Sequence, residues 1–248
     1  MTGFELCRHK DRKAMGENAA LLVAALVRTA CRERGEARVI FACAPSQDDF
    51  LAALPGTELD WSRLVVFHMD EYVGLSAAHP QSFRSYLRDH LISHLPGPKA
   101  LHLIAADAPD PERECERYAA LLSEKPIDLV CMGIGENGHI AFNDPPVADF
   151  LDPRPVKLVE LDAACRQQQV NDGCFPALAD VPTHALTLTI PALLGARHIS
   201  CVVPGVRKAR AVRDTLRGPV STTCPASILQ THPSVCMHID SAAASLLD

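Results

Sequence analysis

Three short stretches of the chain are apolar almost without a break: ARVIFACA at 37–44, RLVVFHMD at 63–70 and IDLVCMGI at 127–134. A strand wetted on one face alternates apolar and polar residues, so runs of this kind belong to strands covered on both faces. Further short strands are expected at 100–104, 156–162, 185–190, 199–205 and 234–240. Segments with helical spacing or helix-start signals lie between them, at 11–34, 46–54, 80–95 and 110–125, and again within 191–232. This order predicts an α/β fold with an open, mostly parallel sheet and helices on both faces. Ser46 is the expected N-cap of the helix over 46–54. ALTLTI at 185–190 alternates and is expected toward a sheet edge. The sequence has no internal repeat and no Pro/Gly/Ser linker, so a single domain over 1–248 is expected.

Composition narrows the function. The chain carries a formal net charge of −6, and its lysines and arginines form no basic block interleaved with aromatics, which argues against a nucleic-acid partner. The longest apolar run, Ala19–Val27, is shorter than the roughly 20 residues a bilayer requires, so no membrane partner is expected. Basic residues open the chain without an apolar core behind them, unlike a signal peptide. The ten cysteines stand singly, with no C-x-x-C pair, and several lie inside apolar strands. Buried reduced thiols and a cytoplasmic protein are the consistent reading.

Ligands of open parallel sheets bind beyond the carboxyl ends of the strands. Three polar clusters fall at such ends: APSQDD after 37–44, MDEY at 69–72 and GENGH at 135–139. If the strands are neighbours, Asp70 and His139 meet at one edge. Taken singly, Asp70-Glu71 also reads as a cap, His139 as a structural histidine and Asn143-Asp144-Pro145 as a turn. GIGENG fits G-x-G-x-x-G in letters, but HIAFNDPP does not continue as the helix that a dinucleotide site needs.

Together, MDEYVGL…HPQSF and GIGENGHIAFNDP resemble the glucosamine-6-phosphate deaminase/isomerase family, and the likeness extends more thinly from about residue 37 to the end, through VPTHALTLTI, VPGVRKARAV and SILQTHP. The resemblance implies a Rossmann-like fold and an enzyme of the hydrolase class that converts a phosphorylated 2-amino sugar into a ketose phosphate and ammonia. It implies no redox or metal cofactor, and the family allows a homo-oligomer. On this resemblance Asp70 is the base that moves a proton between carbons 2 and 1, and His139 carries the proton for ring opening. Asp144 and Asn137 stand where the family has two acids around that histidine. Glu71, Gly135 and Gly138 are expected at the substrate, with Lys208 on the phosphate.

The chain departs from the family at the phosphate. CAPSQDDF lacks the family's glycine- and threonine-rich loop, leaving Ser46 and Gln47 as donors, while Asp48 and Asp49 would repel an anion if they faced the site. Cys174 stands at the family's arginine position, with Arg166 the expected substitute. Two other functions remain open at this point: a 6-phosphogluconolactonase-like hydrolase sharing the fold, and a sugar-phosphate-binding protein without catalysis.

Overall fold

A computed structural model describes residues 3–247. Seven strands form one wholly parallel sheet: β1 (Gly3–His9), β2 (Ala37–Phe41), β3 (Leu64–His68), β5 (Ala100–His102), β6 (Leu129–Met132), β9 (His198–Val203) and β10 (Ser234–Asp240), in the order β1-β10-β9-β6-β2-β3-β5. The three apolar runs become β2, β3 and β6, adjacent in the middle of the sheet, and every residue of each is buried. β1 was not among the expected strands. Its alternating burial is that of an edge strand, and only its pairing with β10 makes it one.

The larger correction concerns MDEY. The run over 63–70 does not end in a loop: the chain leaves the parallel sheet at Met69 and enters a second one. There β4 (Asp70–Tyr72) pairs antiparallel with β8 (His184–Leu188), which pairs antiparallel with β7 (Val156–Glu160). ALTLTI is thus the central strand of a small antiparallel sheet rather than an edge of the large one. Its alternation arises because its two faces meet different cores: Leu186 and Leu188 in the main cluster, Ala185 in a smaller one with Tyr72 and Phe142.

Helix α1 (Arg12–Arg34) is capped by Asp11, whose carboxylate accepts from Ala14 N at 2.8 Å, and ends at Gly35 in the left-handed region. It is long enough to cross a bilayer, yet Met15, Ala19, Val23 and Val27 are buried in the cluster that covers one face of the parallel sheet. Ser46 is not a helix cap. It sits in a 3₁₀ turn over Pro45–Gln47, and α2 (Asp48–Ala53) follows with no side-chain cap. The helix expected over 80–95 is shorter, α3 (Phe83–His90), with Ser82 as its N-cap. Asp110 caps α4 (Pro111–Ser123). A helix not anticipated, α5 (Ala163–Asn171), precedes α6 (Ile190–Leu194) and α7 (Ala209–Arg217). All ten cysteines are free.

Candidate active site

The carboxyl ends of β2, β3, β6 and β9 open into one cavity of about 480 Å³. From β2 come Cys43 to Ser46; past β3 come Met69 and Asp70; past β6, Gly133 to Gly135 and His139; past β9, Pro204 to Lys208. Asp70 and His139, distant in sequence, therefore line the same wall space because β3 and β6 flank β2.

Asp70 is 7% exposed. Burial, and then the neighbouring charge of Glu71, hold its carboxyl well above the usual aspartate range. Its backbone is fixed by pairing with Thr187 across β4 and β8. Glu71 points elsewhere, as alternation along a strand requires. It is fully buried and accepts from the backbone of Tyr72, Phe83 and Arg84 and from Arg84 Nε. Expected at the substrate, it instead clamps the start of α3 to β4 and does not line the cavity.

The loop after β6 explains its own composition. The His139 imidazole lies so close over Gly135 that a Cβ there would fall 2.2 Å from Nδ1. Gly138 has φ +81°, and a Cβ on it would meet Cys224 Sγ at 2.6 Å, so its role is backbone conformation and not substrate contact. Asn143, wholly buried, donates to the carbonyls of Ile140 and Leu188 and ties the loop to β8. Between these anchors Ala141 is held at φ 50°, a strained value for a residue with a side chain.

His139 Nδ1 lies 2.9 Å from Asp144 Oδ1. Asn137 is hydrogen-bonded to the partner of the imidazole and to the backbone of His139: its amide donates to the same Asp144 oxygen at 2.8 Å, and its Oδ1 accepts from the His139 backbone N–H. Burial alone would raise the Asp144 carboxyl, but the His139 imidazole, the Asn137 amide and the Cys165 thiol together hold it below the ordinary value. Cys165, brought in by α5, completes a set of three donors with His139 and Asp144 whose ligand atoms lie within 4.8 Å of one another. No sequence spacing relates Cys165 to His139, so the expectation of no metal was reached without it.

Lys208 lines the cavity, 9% exposed, with its ammonium destabilised chiefly by burial. Among the described residues no carboxylate comes within ion-pair distance of it. Two further cations line the cavity: Arg12, paired with Asp49 at 2.8 Å, and Arg207, paired with Glu136 and Asp172. Arg207 was legible beside Lys208 in PGVRKA. Arg12 carried no signal, because only the packing of α1 beside α2 brings it there.

Four expectations at this end are corrected. Gln47 is buried, donating to Ser46 Oγ and the Val202 carbonyl, and only Ser46 reaches the cavity. Arg166 donates to the carbonyls of Leu178 and Val181 and does not reach it, so Arg166 is no substitute for the missing arginine. Asp48 accepts from the Tyr86 hydroxyl, and Asp49 faces Arg12, so neither lines the cavity or repels an anion there. Cys174 lines an adjoining hollow of about 250 Å³ with Tyr86, His90 and Phe175.

A buried carboxylate with a raised proton affinity, an imidazole against a second carboxylate, and an unpaired ammonium share one cavity at the carboxyl edge of a Rossmann-like sheet. That combination is suited to acid–base chemistry on an anionic ligand, in a protein of the open α/β class. The chain belongs to the family described as glucosamine-6-phosphate isomerases/6-phosphogluconolactonase, whose model matches residues 10–237. It is 43% identical over 187 residues to glucosamine-6-phosphate deaminase of an Exiguobacterium species, covering 75% of this chain and 71% of the relative. It is 35% identical over 240 residues to that of Lactobacillus delbrueckii, covering 96% and 97%. A solved monomeric glucosamine-6-phosphate deaminase superposes with a TM-score of 0.90 at 31% identity, over 98% of this chain and 99% of that one. The 6-phosphogluconolactonase of Trypanosoma brucei superposes at 0.77 with 15% identity over the full length of both chains, a likeness of fold alone.

Proposed function

We propose that this protein converts glucosamine 6-phosphate, or a close relative, to a ketose phosphate and ammonia. The single observation that carries the reading is the joint presence of Asp70, His139 and the unpaired Lys208 in one cavity. The names of the relatives described above support the same substrate.

In this reading the phosphate is held at Lys208, with Ser46 and the guanidinium edges of Arg12 and Arg207 close by. His139 passes a proton to the ring oxygen as the sugar opens, and Asp144 stabilises the imidazolium that forms when a proton is held there. In the open chain Asp70 removes the carbon-2 proton and returns it at carbon 1. A base with a raised pKa is matched to this task, because it holds the proton it has taken long enough to deliver it. The resulting carbon–nitrogen double bond is cut by water, which leaves a carbonyl at carbon 2 and releases ammonia. The conversion thus joins an isomerisation to a hydrolysis, and in that sense the enzyme is a hydrolase.

The test is ammonia release from glucosamine 6-phosphate, glucosamine and the galactose epimers of each, with ketose phosphate measured in parallel. Glucosamine 6-phosphate should be the preferred substrate, with one ammonia formed per ketose. Binding of the phosphosugar with no ammonia would make this a binding protein, and turnover of a sugar-acid lactone in its place would make it a lactonase.

A further inference from the structure

At the far side of the sheet from the Asp70 wall, strands β1 and β10 carry a second cluster of reactive side chains. In their parallel register Cys7 stands opposite His238 and Glu5 opposite Cys236, so Cys7, Cys236 and His238 share one face. Val235, Met237 and Ile239 occupy the other face, in the main core. Cys236 is 1% exposed and His238 3%, while Cys7 and His9 are half-buried at the open edge. The two sulfurs are 3.4 Å apart and unbonded. One ligand atom from each of Cys7, Cys236 and His238 lies within 4.8 Å of the other two.

The histidine supplies the independent observation. His238 Nδ1 is 3.1 Å from His9 Nε2, and the rings stack, but its Nε2 is buried with no hydrogen-bond partner. A buried polar atom without a partner costs free energy, and in a native fold it calls for an explanation. A metal on that nitrogen provides one: a ligating imidazole characteristically donates its other N–H to a neighbouring acceptor, and His9 Nε2 stands in that position.

We propose that Cys7, Cys236 and His238 form a binding site for a thiophilic d¹⁰ cation, with Zn²⁺ the expected occupant. Two sulfurs and one nitrogen make up the donor set of borderline-soft ions. Bonds of about 2.3 Å to sulfur and about 2.0–2.1 Å to nitrogen require donors that nearly touch, as these do. Both thiols give up their protons to solvent on binding. The fourth position falls at the half-exposed edge, within reach of water, and Glu5 already accepts from Cys7 Sγ there at 3.6 Å. The site ties an edge strand to its neighbour. β1 leads directly to Arg12, and β10 ends at Asp240, whose carboxylate accepts from Gly205 N in the loop before Lys208. The cation would therefore brace the two segments that carry Arg12 and Lys208 to the catalytic cavity, without lining it.

The experiment titrates Co²⁺ into the reduced, metal-free, full-length protein and then displaces it with Zn²⁺. A thiolate-to-cobalt charge-transfer band should saturate at a single equivalent, and Zn²⁺ should abolish it. Zn²⁺ at about 100 times its dissociation constant should raise the unfolding midpoint by roughly 5–10 °C. Cys236→Ser should remove the band, and His238→Ala should weaken binding by roughly tenfold or more. Cys7→Ser, at the half-exposed edge, decides the matter if Cys236→Ser does not fold. Cys165→Ser, which removes the only sulfur of the donor set around His139, should retain the band. A band absent from the parent protein overturns the proposal. So does one lost in Cys165→Ser but kept in Cys7→Ser, or a reduced protein that forms a Cys7–Cys236 disulfide on air exposure yet takes up no metal.

Discussion

The His139 imidazole lies against Gly135 with no room for a methyl group, a Cβ at 135 falling 2.2 Å from both Nδ1 and Cε1. The glycine therefore sets the height at which the imidazole meets Asp144. Gly135→Ala should displace the ring by about 1 Å and lower kcat by roughly 10²-fold, with about 1–3 kcal/mol of stability lost to overpacking. Turnover within a fewfold of the parent would show that the ring position does not limit the reaction.

Asp70→Asn should fold and bind substrate but lose roughly 10²–10⁴ in turnover, as expected for removal of a general base. In the parent protein the base must be ionised to act, so activity rises with pH through its pKa. Burial first, and Glu71 second, lift that value, which places the acid limb of kcat/KM above the ordinary aspartate range. An acid limb at about 3.9, the value of an unperturbed aspartate, would remove Asp70 from the role.

Asn137→Asp puts a second carboxylate where an amide now donates to Asp144 Oδ1 at 2.8 Å. Two like charges at that distance share a proton, so one of them titrates at a raised pKa. The acid limb of the ring-opening step should move to higher pH. An unmoved profile would mean that residue 137 is not coupled to the His139–Asp144 pair.

Lys208→Ala should raise KM for the phosphosugar by roughly 10- to 150-fold, the equivalent of one charge-assisted hydrogen bond of about 1.5–3 kcal/mol. Activity on the unphosphorylated sugar should stay level. An equal loss on both substrates would place Lys208 in the chemistry or the fold instead of the phosphate grip. Arg166→Ala, by contrast, should leave the ratio of the two substrates unaltered, since its guanidinium is bound to the Leu178 and Val181 carbonyls.

Glu36 is paired with Lys99 and Lys125, each at 2.5 Å, and these contacts lower its carboxyl to about 2. A carboxyl lowered by folding stabilises the protein above its unfolded pKa of about 4.5 and loses that contribution as pH falls toward 2. Both lysines are half-exposed, so the contribution is discounted to about 1–2 kcal/mol. Glu36→Gln should lower the unfolding midpoint at pH 7 and leave it unchanged near pH 2. Equal destabilisation at both pH values would show that the loss is one of packing and not of charge.

The parallel sheet was legible in the sequence, because three nearly unbroken apolar runs between helical segments read as strands covered on both faces. The sequence also placed Asp70, Gly135, His139 and Lys208 just past apolar runs that become parallel strands, on the side of the sheet where ligands of such folds bind. Which neighbours reach the cavity was not legible in it. Glu71 and Gln47 turn inward because alternation and a 3₁₀ turn direct them into the protein, where backbone N–H groups and a carbonyl await a partner. Asp49 faces Arg12 because α1 packs on α2, so an acid that looked hostile to an anion instead positions a cation beside it. Asn137 meets Asp144 from the loop after β6 and Cys165 from α5, two segments with no fixed spacing between them. Short-range pattern records whether a residue is buried, whereas the partner it finds there depends on contacts between segments far apart in the chain, and no local signal encodes these.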